Sequence, residues 1–203
     1  MDLNKAIRKQ NKSFKRFLLS MCFIFLLLPL ILYLYGEFNN IFYLSYLMLI
    51  EGLIIISILI RINREKLEFY YNNNRLRVIL GLTNRRLNIA CDKIKFVHVE
   101  NFEDVYGNED FKIILLSNSK FRSERMIPIN KKFLQKYPYI YQFYAKLKKI
   151  DPERDYYYTV IKRGGLKKYY LLDAIYRTCV YANFTDETVE KIKELRKEIN
   201  IDD

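Results

Sequence analysis

The 203-residue chain has no tryptophan, one histidine and three cysteines. A single imidazole, His98, excludes any site built on two histidines, histidine-rich metal centres included. It lies in "KIKFVHVEN" beside Phe96 and Val97, where it reads as a strand histidine ahead of a catalytic one. Cys22, Cys91 and Cys179 are odd in number, far apart along the chain and form no CxxC. That argues against a disulfide framework and fits free thiols in a reducing compartment. The few glycines include the pair Gly164–Gly165, but its surroundings lack P-loop spacing, so it reads as a plain turn ahead of a phosphate cradle. No Ser-His-Asp, Cys-His, metal-ligand or paired-carboxylate arrangement has supporting context. The sequence therefore points to no catalytic residue, no metal and no cofactor, and to a protein that is not an enzyme.

Apolar residues make up 51% of the chain, yet the mean hydropathy is −0.14. The apolar residues must be concentrated, and residues 17–60 hold two long runs of them. "FLLSMCFIFLLLPLILYLY" (17–35) covers about 28 Å as a helix, close to a bilayer core. It ends in large residues with no small-x-small cleavage site, unlike a signal peptide. Pro29 is tolerated inside such a helix. "IFYLSYLMLIEGLIIISILI" (41–60) follows after only "GEFNN", so the two spans form a hairpin with both ends on one side.

Charge orients the hairpin. The formal net charge of +12 divides into +5 over residues 1–16, −2 over 17–60, +10 over 61–150 and −1 over 151–203. Lys5, Arg8, Lys9, Lys12, Lys15 and Arg16 precede the first span, and Arg61, Arg64 and Lys66 follow the second. The connecting loop has no lysine or arginine. The positive-inside rule puts both termini in the cytoplasm of a two-span cell-membrane protein. A basic excess on the flanks of the spans points to anionic lipid ahead of nucleic acid. The basic segment 1–16 is read as an N-terminal cytoplasmic stretch, with a short amphipathic helix on the lipid surface as one form it could take.

Glu51 interrupts the second run. A central carboxylate costs about 3 kcal/mol on insertion scales, while the Leu, Ile and Phe residues of the run contribute roughly −4 to −8 kcal/mol. The segment still inserts. No basic residue lies within either span, so Glu51 lacks an ion-pair partner in its own hairpin. Three arrangements accommodate it: a protonated side chain, a bond to a second copy, or a contact with another membrane protein.

Beyond residue 65 the pattern turns to short strand-like runs: "KLEFYY" (66–71), "RLRVIL" (75–80), "RLNIAC" (86–91), "IKFVHVEN" (94–101), "FKIILLS" (111–117) and "RMIPI" (125–129). Six runs at about ten-residue spacing predict an antiparallel barrel or sandwich. "NKKFLQKYPYIYQFYAKLKKI" (130–150) has helical spacing that Pro138 breaks or starts late. Residues 151–203 read as a separate, small helical tail with one strand-like run, "YYYTVIK" (156–162). A last helix starts at Thr185, with Val189, Ile192, Leu195 and Ile199 as its apolar stripe. The acidic stretch "ENFEDVYGNED" (100–110) misses the EF-hand positions and reads as a solvated hairpin loop. Arg75, Arg77, Arg85 and Arg86 are candidates for binding lipid or other phosphate headgroups; a solvated barrel rim is the alternative.

A membrane hairpin, a run of strands and then "IPINKKFLQ…YQFYAKLKK" resembles the bacterial pleckstrin-homology-like membrane proteins over about residues 17–150. Six strands are read here where that fold has seven, and its tryptophan near the fourth strand is absent. The resemblance implies a PH-like domain over residues 63–150, closed by a helix, that serves binding or scaffolding and carries no catalytic residues. Together these readings predict a membrane-anchored α+β protein that engages protein partners or anionic lipid and assembles through its hairpin. The alternative is an accessory or immunity subunit that meets a larger membrane transport complex through Glu51.

Overall fold

The computed structural model describes residues 3–72, 75–82, 85–103, 107, 109–120 and 126–199, with only the backbone of residues 3, 38, 85, 198 and 199. Two helices open the chain: α1 (Leu3–Leu34) and α2 (Ile41–Glu65). Both are long and apolar enough to cross a membrane. Gly36 takes a left-handed φ of 74° in the turn between them, and the Asn40 side chain caps α2 by accepting from the Phe42 N–H. Of residues 1–16, expected as a separate stretch, the described ones, 3–16, instead belong to the first helix. At 1.5 Å per residue α1 is about 48 Å long, well beyond a bilayer core of about 30 Å.

The two helices meet along one narrow seam. Covered positions along it include half-covered Phe14, Leu18, Met21, Phe25, Leu28 and Leu32 in α1, and in α2 buried Leu47, Ile54 and Glu65 with half-covered Leu44, Glu51, Ile58 and Arg61. The steps alternate three and four residues, the spacing of a heptad seam. Most other apolar side chains of the hairpin face outward, such as Leu26 at 69% and Met48 at 69% exposure.

After the helices come β1 (Leu67–Asn72), β2 (Arg75–Leu80), β3 (Arg85–Ala90), β4 (Ile94–Glu103), β5 (Glu109–Ser117) and β6 (Ile127–Pro128). Next are α3 (Lys131–Lys136), α4 (Pro138–Ile150), β7 (Tyr157–Ile161), α5 (Lys168–Thr178), β8 (Asn183–Phe184) and α6 (Asp186–Ile199). Pro138 occupies the first turn of α4, where its missing N–H is harmless, so the predicted 130–150 helix becomes two.

Among the described residues the strands do not close a barrel. They form a three-stranded sheet, β1-β2-β3, and a five-stranded one, β6-β7-β5-β4-β8. The physical reason lies in β7. It pairs antiparallel with β5 from Ile113↔Ile161 to Ser117↔Tyr157, filling the position beside β5 and leaving β6 outermost. A domain boundary at residue 150 would therefore cut one sheet, and residues 151–199 are not a separate tail. Ile161, Leu171, Leu172, Ile175, Ile192 and Leu195 share one core with Leu76, Val78, Leu87, Ile89, Val97 and Leu115.

That core also explains why "FKIILLS" is apolar without alternation. Phe111, Ile113 and Leu115 face the first core, while Ile114 and Leu116 face a second with Phe133 of α3, Ile140 of α4 and Tyr137 between them. Both faces of β5 are covered, so both must be apolar. The Phe133 and Tyr158 rings stack with centroids 3.6 Å apart across this second layer.

Candidate functional site

Glu51 stands on the α1–α2 seam, midway along the apolar stretch of α2. The Arg61 guanidinium lies 5.7 Å from the Phe17 ring centre, and Leu28, Ile31 and Leu32 line a groove with Leu47 and Ile50. This antiparallel register brings Glu51 level with the turn Phe25–Leu28. Every seam residue of that turn is apolar. Among the described residues Glu51 has no hydrogen-bond or ion-pair partner, and the side chain is only half covered. The groove, about 350 Å³, opens beyond it toward the interhelical turn, with Tyr35, Glu37, Tyr43 and Tyr46 around its mouth.

The other end of the hairpin is fastened to the sheets without a linker. The Asn63 Oδ1 accepts from the Leu82 N–H at 3.2 Å and from Arg163 Nη1 at 2.7 Å. The Gly164 N–H donates to the Arg64 carbonyl and the Gly81 N–H to the Lys66 carbonyl, both at 3.0 Å. Helix-terminal carbonyls left bare would otherwise need water. Gly164 has φ 114° and would carry a Cβ 2.5 Å from Leu67 Cδ2; Gly165 would carry one 2.2 Å from Gln10 Nε2. The glycine pair is thus a close-approach turn where β1 and α1 pass. The first half of α1 also docks: Ile7 is buried in the main core, Gln10 Oε1 accepts from the Leu166 N–H, and Tyr170 donates to Asn4 Oδ1.

The four candidate arginines are spread along one sheet. Arg75, Arg77 and Arg86 are exposed, and the pairs Arg77↔Asn88 and Ile79↔Arg86 place them on the outer face. Arg85 precedes Arg86 and so has the opposite strand parity; its side chain lies outside the described residues. Arg86 is one pair from Leu80, at the hairpin end, whereas Arg75 opposes Asn72 at the far end.

Three sets of buried polar side chains lie in the sheet domain, and of these Lys168 was not singled out by sequence. Lys168 is fully buried, and its ammonium donates to Asp110 Oδ1 at 2.6 Å, to the Phe111 carbonyl and to the Lys162 carbonyl at 3.0 Å. Burial pushes this ammonium below its ordinary range, and the Asp110 carboxylate opposes that shift. The signal was readable: Lys168, Leu171, Leu172 and Ile175 share one helical stripe, so a lysine stands where a core residue belongs. His98 Nδ1 lies 3.1 Å from the Thr185 hydroxyl, which in turn lies 2.8 Å from that of Thr188. Burial lowers the pKa of His98, while Glu187 and Glu100 pull the other way. Cys91 and Cys179, distant in sequence, meet around Thr178, with sulfurs 3.4 and 3.8 Å from its hydroxyl oxygen. A hydrogen bond from Cys179 holds the Cys91 thiol down to about 6, and the same bond and burial push Cys179 up.

In the acidic β4–β5 hairpin, Glu100 pairs with Lys112 at 2.5 Å and Asp110 with Lys168. Among the described residues no three His, Cys, Asp or Glu side chains gather as a metal site. A second groove, about 380 Å³, lies on α3 and α4 between Lys131, Leu134, Gln135, Pro138 and Tyr141. No protein-family model, curated protein or solved structure matches the chain.

Proposed function

We propose that this chain is a membrane-anchored, non-enzymatic binding or scaffold protein. Its hairpin crosses the cell membrane twice with both termini cytoplasmic, and it assembles with other membrane-embedded helices through Glu51. The cytoplasmic sheets engage protein partners or anionic lipid. The observation that carries the reading is the half-covered carboxylate of Glu51, unpartnered in the middle of an apolar helix hairpin. Ionisable groups at such depths mark contacts or pathways, and two spans are few for a pathway. The layout of strands followed by a helix supports a binding module of the pleckstrin-homology-like kind, and the open pair of sheets argues against that fold's closed barrel.

A second reading rests on the same side chain: an accessory or immunity subunit whose Glu51 meets a basic residue of a larger transport complex. Crosslinking in the native membrane, followed by purification in mild detergent, separates the two. Self-linked species favour the scaffold, and one stoichiometric larger membrane protein favours the accessory subunit. Reporter fusions after residue 15 and after residue 66 should both report cytoplasm, and one at Asn39 the opposite side. A cytoplasmic signal from Asn39 refutes the hairpin.

A further inference from the structure

We propose that the underside of the sheet domain binds anionic phospholipid headgroups through a ring of five cations: Lys12, Lys15, Arg16, Arg86 and Lys162. The inference rests on the membrane-anchored reading and says where and how the lipid is held. Its basis is the attachment of the domain to α2. Asn63, Arg64 and Lys66 are hydrogen-bonded to the turns at 81–82 and 163–164, so the domain cannot swing away from the helix end. Whatever lies beside those turns is held at the level where α2 leaves the apolar layer.

The five cations lie there. Phe17 of α1 meets Arg61, and Gln10 meets the turn at 166, so Lys12, Lys15 and Arg16 occupy the stretch between these two contacts. Arg86 opposes Ile79, two residues from Gly81. Lys162 immediately follows β7 and precedes Arg163, whose side chain grips Asn63. All five side chains are exposed. Glu65 is occupied by Arg61 at 2.6 Å. Exposed Glu68 faces the same outer row as Arg86, across Ile79, and sets one carboxylate against the five cations. Exposed Glu103 and Glu109 belong to the β4–β5 hairpin, so the ring keeps a net positive charge on the side of α1, α2 and the β2–β3 turn. Phosphodiester oxygens facing that side meet fixed cations over a low-dielectric slab, where lysine and arginine beside anionic lipid attract most strongly.

The same geometry removes two of the arginines picked from sequence. At about 3.3 Å per residue, Arg77 and Arg75 stand roughly 10 and 17 Å farther along β2 than Leu80. Both distances exceed the screening length of about 8 Å at physiological ionic strength. Of the described side chains in that set, Arg86 alone belongs to the headgroup ring.

The test uses the full chain in mild detergent, with phosphatidylglycerol and phosphatidylcholine of identical acyl chains as probes. Lipid retention is read by native mass spectrometry. The wild type should retain phosphatidylglycerol in preference, and replacing the five cations by Ser should reduce that preference at least about tenfold, since each nearby cation contributes about a fivefold change. Arg75→Ser with Arg77→Ser should leave it unchanged, and Arg16→Lys with Arg86→Lys should preserve it. An unchanged preference in the five-residue variant overturns the proposal, as does equal retention of both lipids by the wild type. Alkaline extraction of native membranes runs alongside. A wild-type chain that washes off refutes the anchored reading and the ring with it; a chain that stays but shows no lipid preference refutes the ring alone.

Discussion

Lys168 offers the sharpest test of how the sheet domain is held. Its ammonium is wholly buried and its three donors meet Asp110, the Phe111 carbonyl and the Lys162 carbonyl, so one side chain ties the start of α5 to β5 and to the end of β7. The two partners are not equivalent. The Asp110 side chain is 24% exposed and can recover water, whereas Lys168 cannot. Lys168→Met keeps the volume, frees a carboxylate that resolvates and strands two carbonyls. Buried unmade hydrogen bonds cost about 1–3 kcal/mol each, so a loss of about 2–4 kcal/mol is expected. Asp110→Ala leaves a buried ammonium without its counter-ion, which costs about 3–5 kcal/mol.

Once Lys168 is gone, Asp110 keeps only the bond that its Oδ1 accepts from the Phe111 N–H at 2.7 Å. The double variant should therefore cost only about 1 kcal/mol more than Lys168→Met alone, a coupling of roughly 2–4 kcal/mol. The assay is urea unfolding of the full chain in mild detergent, followed by pulse proteolysis, which reads the sheet domain rather than helix content. Additivity within about 0.5 kcal/mol would refute the idea that the two side chains act as a unit.

Two further expectations concern pH and backbone. His98 is held below its ordinary pKa by burial, so on acidification the unfolded chain takes up the proton first; stability should be full above about pH 6.5 and fall below it, by at most about 1.4 kcal/mol per pH unit. A His98→Gln variant measured by the same unfolding assay should lose that slope. Gly164→Ala should destabilise by more than about 1 kcal/mol, because its φ of 114° is foreign to alanine and the new methyl would strike Leu67; a neutral result would mean that the turn can move away from β1.

The run of strands was readable because half-buried strands alternate and their turns carry asparagine, aspartate and glycine. β2 spans the residues expected, and Pro138 divides the helical region as its chemistry requires. Sheet order was not readable. Nothing local in "YYYTVIK" says that it pairs with a strand some forty residues earlier, and inserting it next to β5 is what leaves the sheets open rather than closed. Continuity of α1 was equally hidden. Lysines and arginines at 5, 8, 9, 12, 15 and 16 look like a surface stretch until Asn4, Ile7 and Gln10 find partners on the domain. The described arginines share one face of the sheet but not one end of it: five residues of β2 separate Arg75 from the hairpin end, where Arg86 stands.

The remaining question is why a carboxylate is kept at position 51. In the heptad seam of α2 it occupies a place where leucine or isoleucine stands at 44, 47, 54 and 58, level with Phe25 and Leu28 of α1. Leucine there would complete the seam and lower the insertion free energy by about 3 kcal/mol. Stability of the lone hairpin therefore argues against glutamate, and a contact outside the hairpin argues for it. Glu51→Leu should leave expression and insertion intact and weaken self- or partner association. Intramembrane hydrogen bonds average about 0.6 kcal/mol and reach about 1.7, so one lost contact weakens association roughly 3- to 17-fold, and a symmetric pair squares that factor. Glu51→Gln separates the two forms of the contact. It should be nearly silent if the carboxyl is protonated and donates a hydrogen bond, and as damaging as leucine if it is ionised against a partner's lysine or arginine. The readout is the oligomer distribution after crosslinking in native membranes, compared at equal expression. If Glu51→Leu leaves every crosslinked species unchanged, the contact does not exist, and the side chain is a protonated seam residue that the apolar run is long enough to tolerate.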